Sequence, residues 1–161
     1  MSGPSATTPG SPRAVVVIHG PNLNLLGTRE PGVYGTTSLA ELNAGLVDLG
    51  QSLGLHVDAC QANDEGAIID RIQQARGRYV GIVINPGGFS HTSVAIHDAL
   101  RSVELPAIEV HLTNLYARES FRHASVTGGA CLGVIMGLGV DSYHLALRHL
   151  AARAGAPGGS T

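Results

Sequence analysis

Residues 14–19 read AVVVIH, an unbroken apolar run, rich in β-branched residues, that ends in a histidine. Such a run is typical of a parallel strand with both faces buried, because neither face needs polar residues for contact with water. The run leads directly into the polar stretch GPNLN at 20–24. This order, a buried strand followed by a polar loop, recurs along the chain and indicates the fold.

Strand-like and helix-like segments alternate along the rest of the chain. Ser38 with Glu41 three positions later is a capping box that predicts a helix over roughly 39–53, and Asn63 can cap a second helix that ends near Arg76. Further strands are predicted at 55–62, 79–85, 107–111 and 131–137, and further helices at 91–103 and 140–153. Strands that alternate with helices form parallel βαβ units. We therefore expect an α/β fold, a flavodoxin-like three-layer sandwich with a five-stranded parallel sheet in the order 2-1-3-4-5.

The length of 161 residues suits one domain with a substantial core. We expect a single α/β domain over 14–153, between a flexible N-terminal tail (1–13) and a flexible C-terminal tail (154–161). The opening MSGPSATTPGSPR lacks the apolar stretch of a secretory signal. Cys60 and Cys131 lie in apolar, strand-like runs, where buried reduced thiols are the simplest interpretation, and this predicts a cytoplasmic protein.

Charge and composition exclude several classes of function. The net charge is −2 and no basic run occurs, which argues against nucleic acid or an anionic membrane as a partner. No apolar run reaches the length needed to span a membrane. All ten basic residues are arginines. The lack of lysine excludes a Schiff-base lysine, a pyridoxal-phosphate anchor and a Walker-type phosphate lysine.

Unusual polar residues follow three of the predicted strands. The first strand ends in HGPNLN, the third in NPGGFSH and the fourth in EVHLTN. In open parallel sheets, ligands bind beyond the carboxyl ends of the strands. The stretch after the third strand offers Asn85, two glycines that let backbone amides approach a ligand, and His91 at a predicted helix start. An ordinary strand-to-helix turn would explain those glycines, but three such loops together favour a binding site.

Glu109 and His111 lie two positions apart on a predicted strand, so their side chains share a face. A carboxylate beside an imidazole orients the ring and favours its protonated form, which suits a general acid. A core histidine with a chance neighbour explains the pair about equally well. Asp98 lies seven positions after His91, where we expect the same face of the helix, and by itself it is explained by a surface charge or an interface contact.

Arg29 and Tyr34 lie in a stretch rich in glycine and proline that we interpret as a loop able to close over the strand ends. A phenol is a poor base unless a nearby cation favours its ionised form, and arginine never loses its own proton. The two residues could therefore form a base that becomes active when water is excluded. Alternatively, the arginine packs on the tyrosine ring and the loop serves only as a cover.

Other kinds of site find weaker support in the sequence. A metal-dependent hydrolase could use His91, His111 and His123 with Glu109, but no close ligand pair such as HExxH or CxxC occurs, so we expect no metal. A nucleophilic serine would need a G-x-S-x-G turn, and a dinucleotide site would need G-x-G-x-x-G after the first strand; both motifs are missing. A non-catalytic flavodoxin-like module that binds a small anion is the third alternative.

Four stretches, GPNLNLLGTREPGVYG, INPGGFSHTSVAIHDAL, IEVHLTN and ARESFRH, together closely resemble type II 3-dehydroquinate dehydratases, and the resemblance runs from about Val15 to Leu150. It implies a lyase that needs no cofactor, forms a dodecamer (a tetramer of trimers) and converts 3-dehydroquinate to 3-dehydroshikimate by anti elimination through an enolate. The domain over 14–153 would then be catalytic. The enzyme would serve the shikimate pathway, hence chorismate and aromatic amino acid biosynthesis, or alternatively quinate catabolism.

The resemblance also implies roles for individual residues. Tyr34 would remove the C2 proton with the help of Arg29, and His111, polarised by Glu109, would protonate the departing C1 hydroxyl. Asn22 would help to hold a water that stabilises the enolate. Asn85, His91 and Arg122 would bind the ring hydroxyls of the substrate, and Leu112 and Thr113 would bind its carboxylate. Asp98 would reach the site of a neighbouring subunit.

This sequence departs from the usual family pattern at a few positions. His19 stands where members usually have asparagine, and QANDEG replaces QSNHEG, which introduces Ala62 and Asp64. Thr113 replaces a common serine but keeps the hydroxyl. None of these changes removes a residue to which the resemblance assigns chemistry, so we expect effects on local packing and turnover and no change of reaction.

Overall fold

The computed structural model describes residues 13–155 and shows a parallel sheet of five strands. The strands are β1 (Arg13–His19), β2 (Leu55–Gln61), β3 (Gly81–Asn85), β4 (Ala107–His111) and β5 (Gly133–Met136). They pair in parallel in the order β2-β1-β3-β4-β5, which confirms the predicted topology. Each strand begins and ends within two residues of its predicted position.

Helices cover both faces of the sheet and complete the three layers. The longer helices are α2 (Leu39–Ser52), α3 (Glu65–Gln74), α4 (Val94–Ser102) and α5 (Asp141–Gly155). Side chains of α2 and α5 pack with Val15 and Val17 of β1 in one core, while α3 and α4 pack with Val16 and Ile18 in the other. Alternate residues of the first apolar run therefore face opposite cores, which is why the run contains no polar position.

The loop that carries Arg29 and Tyr34 contains a short helix that we did not predict, α1 (Pro31–Tyr34). Pro31 supplies a φ angle suited to the first helical position, and Gly35, with φ of 81°, ends the helix. The interpretation of the whole stretch as a loop was therefore wrong at these four residues. The helix fixes the backbone position from which the Tyr34 side chain extends.

Two predicted helix starts need correction. Asp64, and not Asn63, caps α3, since its side chain accepts a hydrogen bond from the backbone N–H of Ala67 at 2.9 Å. The helix predicted at 91–103 begins only at Val94, where Ser93 provides the cap. The preceding residues, Gly87–His91, form a 3₁₀ turn. The prediction that His91 and Asp98 share a helix face was therefore wrong.

The predicted domain limits lie close to the ends of the described region. β1 begins at Arg13 and α5 ends at Gly155, so most of the predicted tails, at 1–12 and 156–161, lies outside the described residues. Between residues 13 and 155, no helix is both long and apolar enough to cross a membrane. Cys60 and Cys131 are free and half-buried, and so are less buried than predicted. Burial raises the pKa of the Cys131 thiol to about 12, assisted by the nearby Glu109 carboxylate.

Candidate active site

A pocket lies beyond the carboxyl ends of β1, β3 and β4, the three neighbouring strands whose following loops are rich in polar residues. Its polar lining consists of Asn22, Arg29, Tyr34, Asn85, His91, His111, Thr113, Arg118 and Arg122. Apolar side chains complete the wall: Pro21, Leu23, Leu26, Leu112 and Leu115. Of the eleven candidate site residues predicted from the sequence, only Glu109 and Asp98 do not line this pocket.

Glu109 and His111 form a buried pair at the end of β4. His111 Nε2–H donates to Glu109 Oε2 at 2.9 Å, and both side chains are almost fully buried. Ser125 Oγ–H donates to the same carboxylate at 2.7 Å, and the Thr127 hydroxyl donates to its other oxygen. Burial alone would raise the pKa of Glu109, but the hydrogen bonds from His111, Thr127 and Ser125 outweigh it and lower the pKa.

The ionised Glu109 decides what the imidazole of His111 can do. Because Glu109 accepts from Nε2–H, a second proton on this ring must sit on Nδ1, which has no hydrogen-bond partner among residues 13–155. His111 lines the pocket, whereas Glu109 lies behind it. A protonated His111 held by a carboxylate is the arrangement expected of a general acid.

Two guanidinium groups lie close to the Tyr34 ring. The guanidinium carbon of Arg29 is 5.5 Å from the ring centroid, and that of Arg118 is 5.3 Å away. Both arginines line the pocket with Tyr34. Arg118 was missed from the sequence, although it lies in the quoted ARESFRH stretch, because nothing in that stretch indicates contact with Tyr34.

The loop after β3 presents Asn85 and His91 to the pocket from a closely turned backbone. Asn85 Oδ1 accepts from the N–H of Gly87 at 3.1 Å. Gly87 has φ of 59°, and an added Cβ would lie 3.1 Å from the carbonyl oxygen of Pro21, so this position strongly favours glycine. His91 Nδ1–H donates to the carbonyl of Ala124 at 2.8 Å, which fixes the ring, and its Nε2 lies 3.4 Å from Ser90 Oγ.

The remaining predicted residues occupy separate parts of the wall. Arg122 is oriented by Glu119, whose Oε2 accepts from its Nε–H at 2.7 Å. Asn22 adopts a left-handed backbone with φ of 69°, and its N–H donates to the side chain of Asn63. Leu112 and Thr113 follow β4 directly and line the pocket beside His111. The site therefore brings together cations and polar donors, which suit an oxygen-rich anionic ligand.

Asp98 is outside this pocket. It lies on α4 with a side chain that is 71% exposed, where its Oδ1 accepts from His97 Nδ1–H at 3.0 Å. The role predicted for Asp98, in the site of a neighbouring subunit, therefore stays a prediction.

The three histidines of the hydrolase alternative do not form a ligand set. His123 Nε2–H donates to the carbonyl of Arg118 at 3.0 Å, and this residue does not line the pocket. Across residues 13–155, no group of three histidine, cysteine or acidic side chains is close enough to hold a metal ion. The described geometry therefore gives that alternative no support.

Comparisons with known proteins agree with this geometry. A sequence model of the family "Dehydroquinase class II" matches residues 13–151. "Catabolic 3-dehydroquinase 1" of Aspergillus terreus is 54% identical over 87% of this chain and 92% of its own length. "3-dehydroquinate dehydratase" of Ruegeria pomeroyi is 54% identical over 86% of this chain and 93% of its own length. The crystal structure of type II dehydroquinase from Propionibacterium acnes superimposes with a TM-score of 0.84 at 45% identity, covering 87% of this chain and 97% of that one.

Proposed function

The chain belongs to the class II dehydroquinases, and we propose that its pocket dehydrates 3-dehydroquinate with Tyr34 as the base and His111 as the acid. As a 3-dehydroquinate dehydratase it converts this substrate to 3-dehydroshikimate and water. One observation carries the assignment of residues. A phenol with two guanidinium groups close to its ring and an imidazole bound to a buried carboxylate line the same pocket.

Tyr34 acts first, as a phenolate. Arg29 and Arg118 stabilise the phenolate because their charges lie beside the ring and cannot be lost by deprotonation. The phenolate takes the proton from C2 of the substrate, and the electron pair of the C–H bond passes into the carbonyl group to form an enolate. Asn22, which lines the same pocket, helps to hold a water that donates a hydrogen bond to the enolate oxygen.

His111 acts second, as the acid. The enolate collapses to form the C1–C2 double bond, the C1–O bond breaks, and the proton on Nδ1 of His111 passes to the departing hydroxyl, which leaves as water. His111 is then neutral and Tyr34 is protonated, so solvent returns one proton to His111 and removes one from Tyr34. Glu109 stays ionised throughout and stabilises the charged imidazole, because its pKa is lowered in the folded protein.

The other polar residues of the pocket bind and orient the substrate. Asn85, His91 and Arg122 contact its ring hydroxyls, and the backbone amides of Leu112 and Thr113, with the Thr113 hydroxyl, bind its carboxylate. Their support is position, since each lines the pocket around Tyr34 and His111. The proton transfers above use Tyr34 and His111 with water, and they pass through no metal or cofactor.

We also propose that the working enzyme is an oligomer, with twelve subunits as the family resemblance implies. Large apolar side chains are exposed on the single chain, among them Val94, Tyr116, Phe121, Leu132 and Leu138. Contiguous exposed apolar surface commonly marks an interface with a partner. Asp98, exposed on α4, would then reach the pocket of a neighbouring subunit.

The cellular role that we propose is biosynthetic, in the shikimate pathway that leads to chorismate and the aromatic amino acids, with the enzyme in the cytoplasm. Quinate catabolism is the second candidate role, because relatives such as that of Aspergillus terreus are named catabolic 3-dehydroquinases. Both roles use the same reaction. Growth of a deletion strain without aromatic amino acids, and separately on quinate as carbon source, distinguishes the two.

The direct test of the activity is an absorbance assay. Purified full-length protein, treated with a chelator and given only 3-dehydroquinate, is expected to produce the absorbance of a conjugated enone. A chelator-sensitive rate would instead support the metal-dependent hydrolase. Binding of a small anion without any turnover, unchanged by Tyr34→Phe and His111→Ala, would support the non-catalytic module.

A further inference from the structure

A chain of buried hydrogen bonds lies behind the pocket and ends at Asn85. His19 Nε2 is 2.8 Å from Asn43 Oδ1, and His19 Nδ1 is 3.1 Å from the Tyr143 hydroxyl. That hydroxyl is 2.9 Å from Asn85 Nδ2. We call these four residues, Asn43, His19, Tyr143 and Asn85, the relay. His19 and Tyr143 are completely buried, and His19 pairs in register with Asn85 across β1 and β3.

The direction of every hydrogen bond in the relay follows from its pocket end. Gly87 N–H can only donate, so the atom of Asn85 that faces it must be Oδ1. Nδ2 therefore faces Tyr143 and donates to the phenol oxygen. The phenol has a single hydrogen, which must go to Nδ1 of His19, and the ring proton of His19 then lies on Nε2 and goes to Asn43 Oδ1.

The protonation states that this order requires agree with the surroundings. Burial lowers the pKa of His19 to about 4, against the smaller opposite effect of the Asn43 hydrogen bond, so the ring is neutral at neutral pH. Burial also raises the pKa of Tyr143, so its phenol keeps its proton. A neutral imidazole can accept at Nδ1, whereas an imidazolium could not.

We propose that Tyr143, itself oriented by His19, is a positioning residue that fixes the Asn85 amide so that its remaining Nδ2 hydrogen is kept for a substrate oxygen. Asn85 lines the pocket. Its Oδ1 accepts from Gly87 N–H, and one of its Nδ2 hydrogens goes to the Tyr143 hydroxyl. The pocket therefore presents a fixed donor at this point and selects a hydroxyl or carbonyl oxygen over a ligand N–H. This inference rests on the proposed function for the identity of the substrate.

The chain offers a matched control for the loss of a phenol hydrogen bond. Tyr79, just before β3 and at the end of that strand away from the pocket, donates its hydroxyl hydrogen to Asp58 Oδ2 at 2.7 Å. Tyr79→Phe therefore removes a hydrogen bond of the same kind without touching the pocket. It is expected to leave kcat and KM unchanged, whatever it does to stability.

A double-mutant cycle tests the positioning role. Tyr143→Phe is expected to lower kcat/KM about tenfold, since it removes one hydrogen bond from a substrate-binding amide. In an Asn85→Ala background the same change is expected to cost about twofold or less, because the amide it orients is gone. An equal loss in both backgrounds, or normal kinetics in Tyr143→Phe, would overturn the proposal.

Two variants of His19 separate an acceptor role from simple packing. His19→Asn can place its amide oxygen where Nδ1 lies, because both atoms are bonded to Cγ, and so can still accept from Tyr143. His19→Leu fills the space without an acceptor. We expect His19→Asn to retain most of the wild-type kcat/KM and His19→Leu to resemble Tyr143→Phe. Equal losses in the two variants would contradict the proposal.

A measurement on the unmutated protein tests the hydrogen-bond order of the relay. It can be made even if a relay variant fails to fold or the proposed function fails. ¹⁵N spectroscopy of histidine-labelled full-length protein near pH 7 reports which ring nitrogen of each histidine is protonated. For His19 we expect the proton on Nε2 and a bare Nδ1. A proton on Nδ1 would overturn the relay, whereas absence of 3-dehydroquinate turnover with the expected tautomer would overturn only the proposed function.

Discussion

The guanidinium carbon of Arg118 lies 5.3 Å from the ring centroid of Tyr34, closer than the 5.5 Å of Arg29 on the same ring. Arg29 is close to Tyr34 in the sequence, whereas Arg118 comes much later in the sequence, after β4. The side chain of Arg118 is 18% exposed and that of Arg29 is 41% exposed. The less exposed charge acts through a lower local dielectric and should stabilise a phenolate at least as well.

Arg118→Ala is therefore expected to lower kcat at least about tenfold, because the phenolate loses a fixed positive charge. Arg118→Lys should recover only part of the loss, since an ammonium group lacks the planar shape that packs on the ring. Arg78→Ala is the control. The guanidinium carbon of Arg78 lies 5.7 Å from the ring centroid of Tyr79, and this pair is away from the pocket. Equal rates for Arg118→Ala and Arg78→Ala would remove Arg118 from the mechanism.

Glu109→Gln tests the acid. The change keeps the size of the side chain but removes the negative charge that stabilises protonated His111. We expect kcat to fall at least about tenfold with a smaller change in KM, as for a residue that assists proton transfer. Ser125→Ala removes one of the hydrogen bonds to the same carboxylate and should cost less. A Glu109→Gln enzyme with normal kcat would make the pair an ordinary core contact.

His19 should make the stability of the protein depend on pH. Its pKa in the folded protein is about 4, below the ordinary value of 6.5, so between these values the unfolded chain binds a proton that the folded chain does not. His19 therefore costs no unfolding free energy above about pH 6.5. As the pH decreases from there to about 4, its protonation in the unfolded chain lowers the unfolding free energy by about 3 kcal/mol at most.

Urea denaturation at pH 7 and pH 5 measures this effect. The difference in unfolding free energy between the two pH values should be smaller in His19→Asn than in the wild type. His149→Asn, at an exposed position on α5, is the control. An unchanged pH difference in His19→Asn would show that another group is responsible.

A mixing experiment tests the contribution of Asp98 to a neighbouring pocket. Asp98→Asn and Tyr34→Phe subunits, each expected to be poorly active alone, are denatured together and refolded as a 1:1 mixture. About one quarter of wild-type activity is expected, because half of the pockets keep Tyr34 and half of those meet an intact Asp98. A mixture no more active than the average of its parents, or a fully active Asp98→Asn enzyme, would contradict shared sites.

The fold could be predicted because its signals are local. The run at 14–19 shows burial on both faces through composition alone, and the Ser38–Glu41 capping box forms as predicted, with Glu41 N–H donating to Ser38 Oγ at 3.1 Å. The choice between Asn63 and Asp64 as the cap of α3 could not be made locally. Asn63 is engaged elsewhere, since its Oδ1 accepts from Asn22 N–H, a contact that exists only in the folded protein.

Strand order alone predicts part of the site, and the family resemblance predicts further residues such as Arg122, which lines the pocket. Asn85 and His111 end neighbouring strands, so the rule for parallel sheets brings them together. Ser125 and Thr127, which donate to Glu109, were missed because they come from an irregular segment between β4 and β5. Arg118 belongs to the same segment. Its course depends on tertiary packing, so no spacing in the sequence indicates which of its residues meet the pocket.

The kcat of Tyr34→Phe, measured with 3-dehydroquinate, decides whether Tyr34 is the base. Phenylalanine keeps the ring that Arg29 and Arg118 flank and removes only the hydroxyl. If the phenolate removes the C2 proton, kcat should fall at least about 10²-fold, the low end for general-base catalysis, with little change in substrate binding. A Tyr34→Phe enzyme with near-normal kcat would show that another group removes the C2 proton and that α1 only covers the pocket.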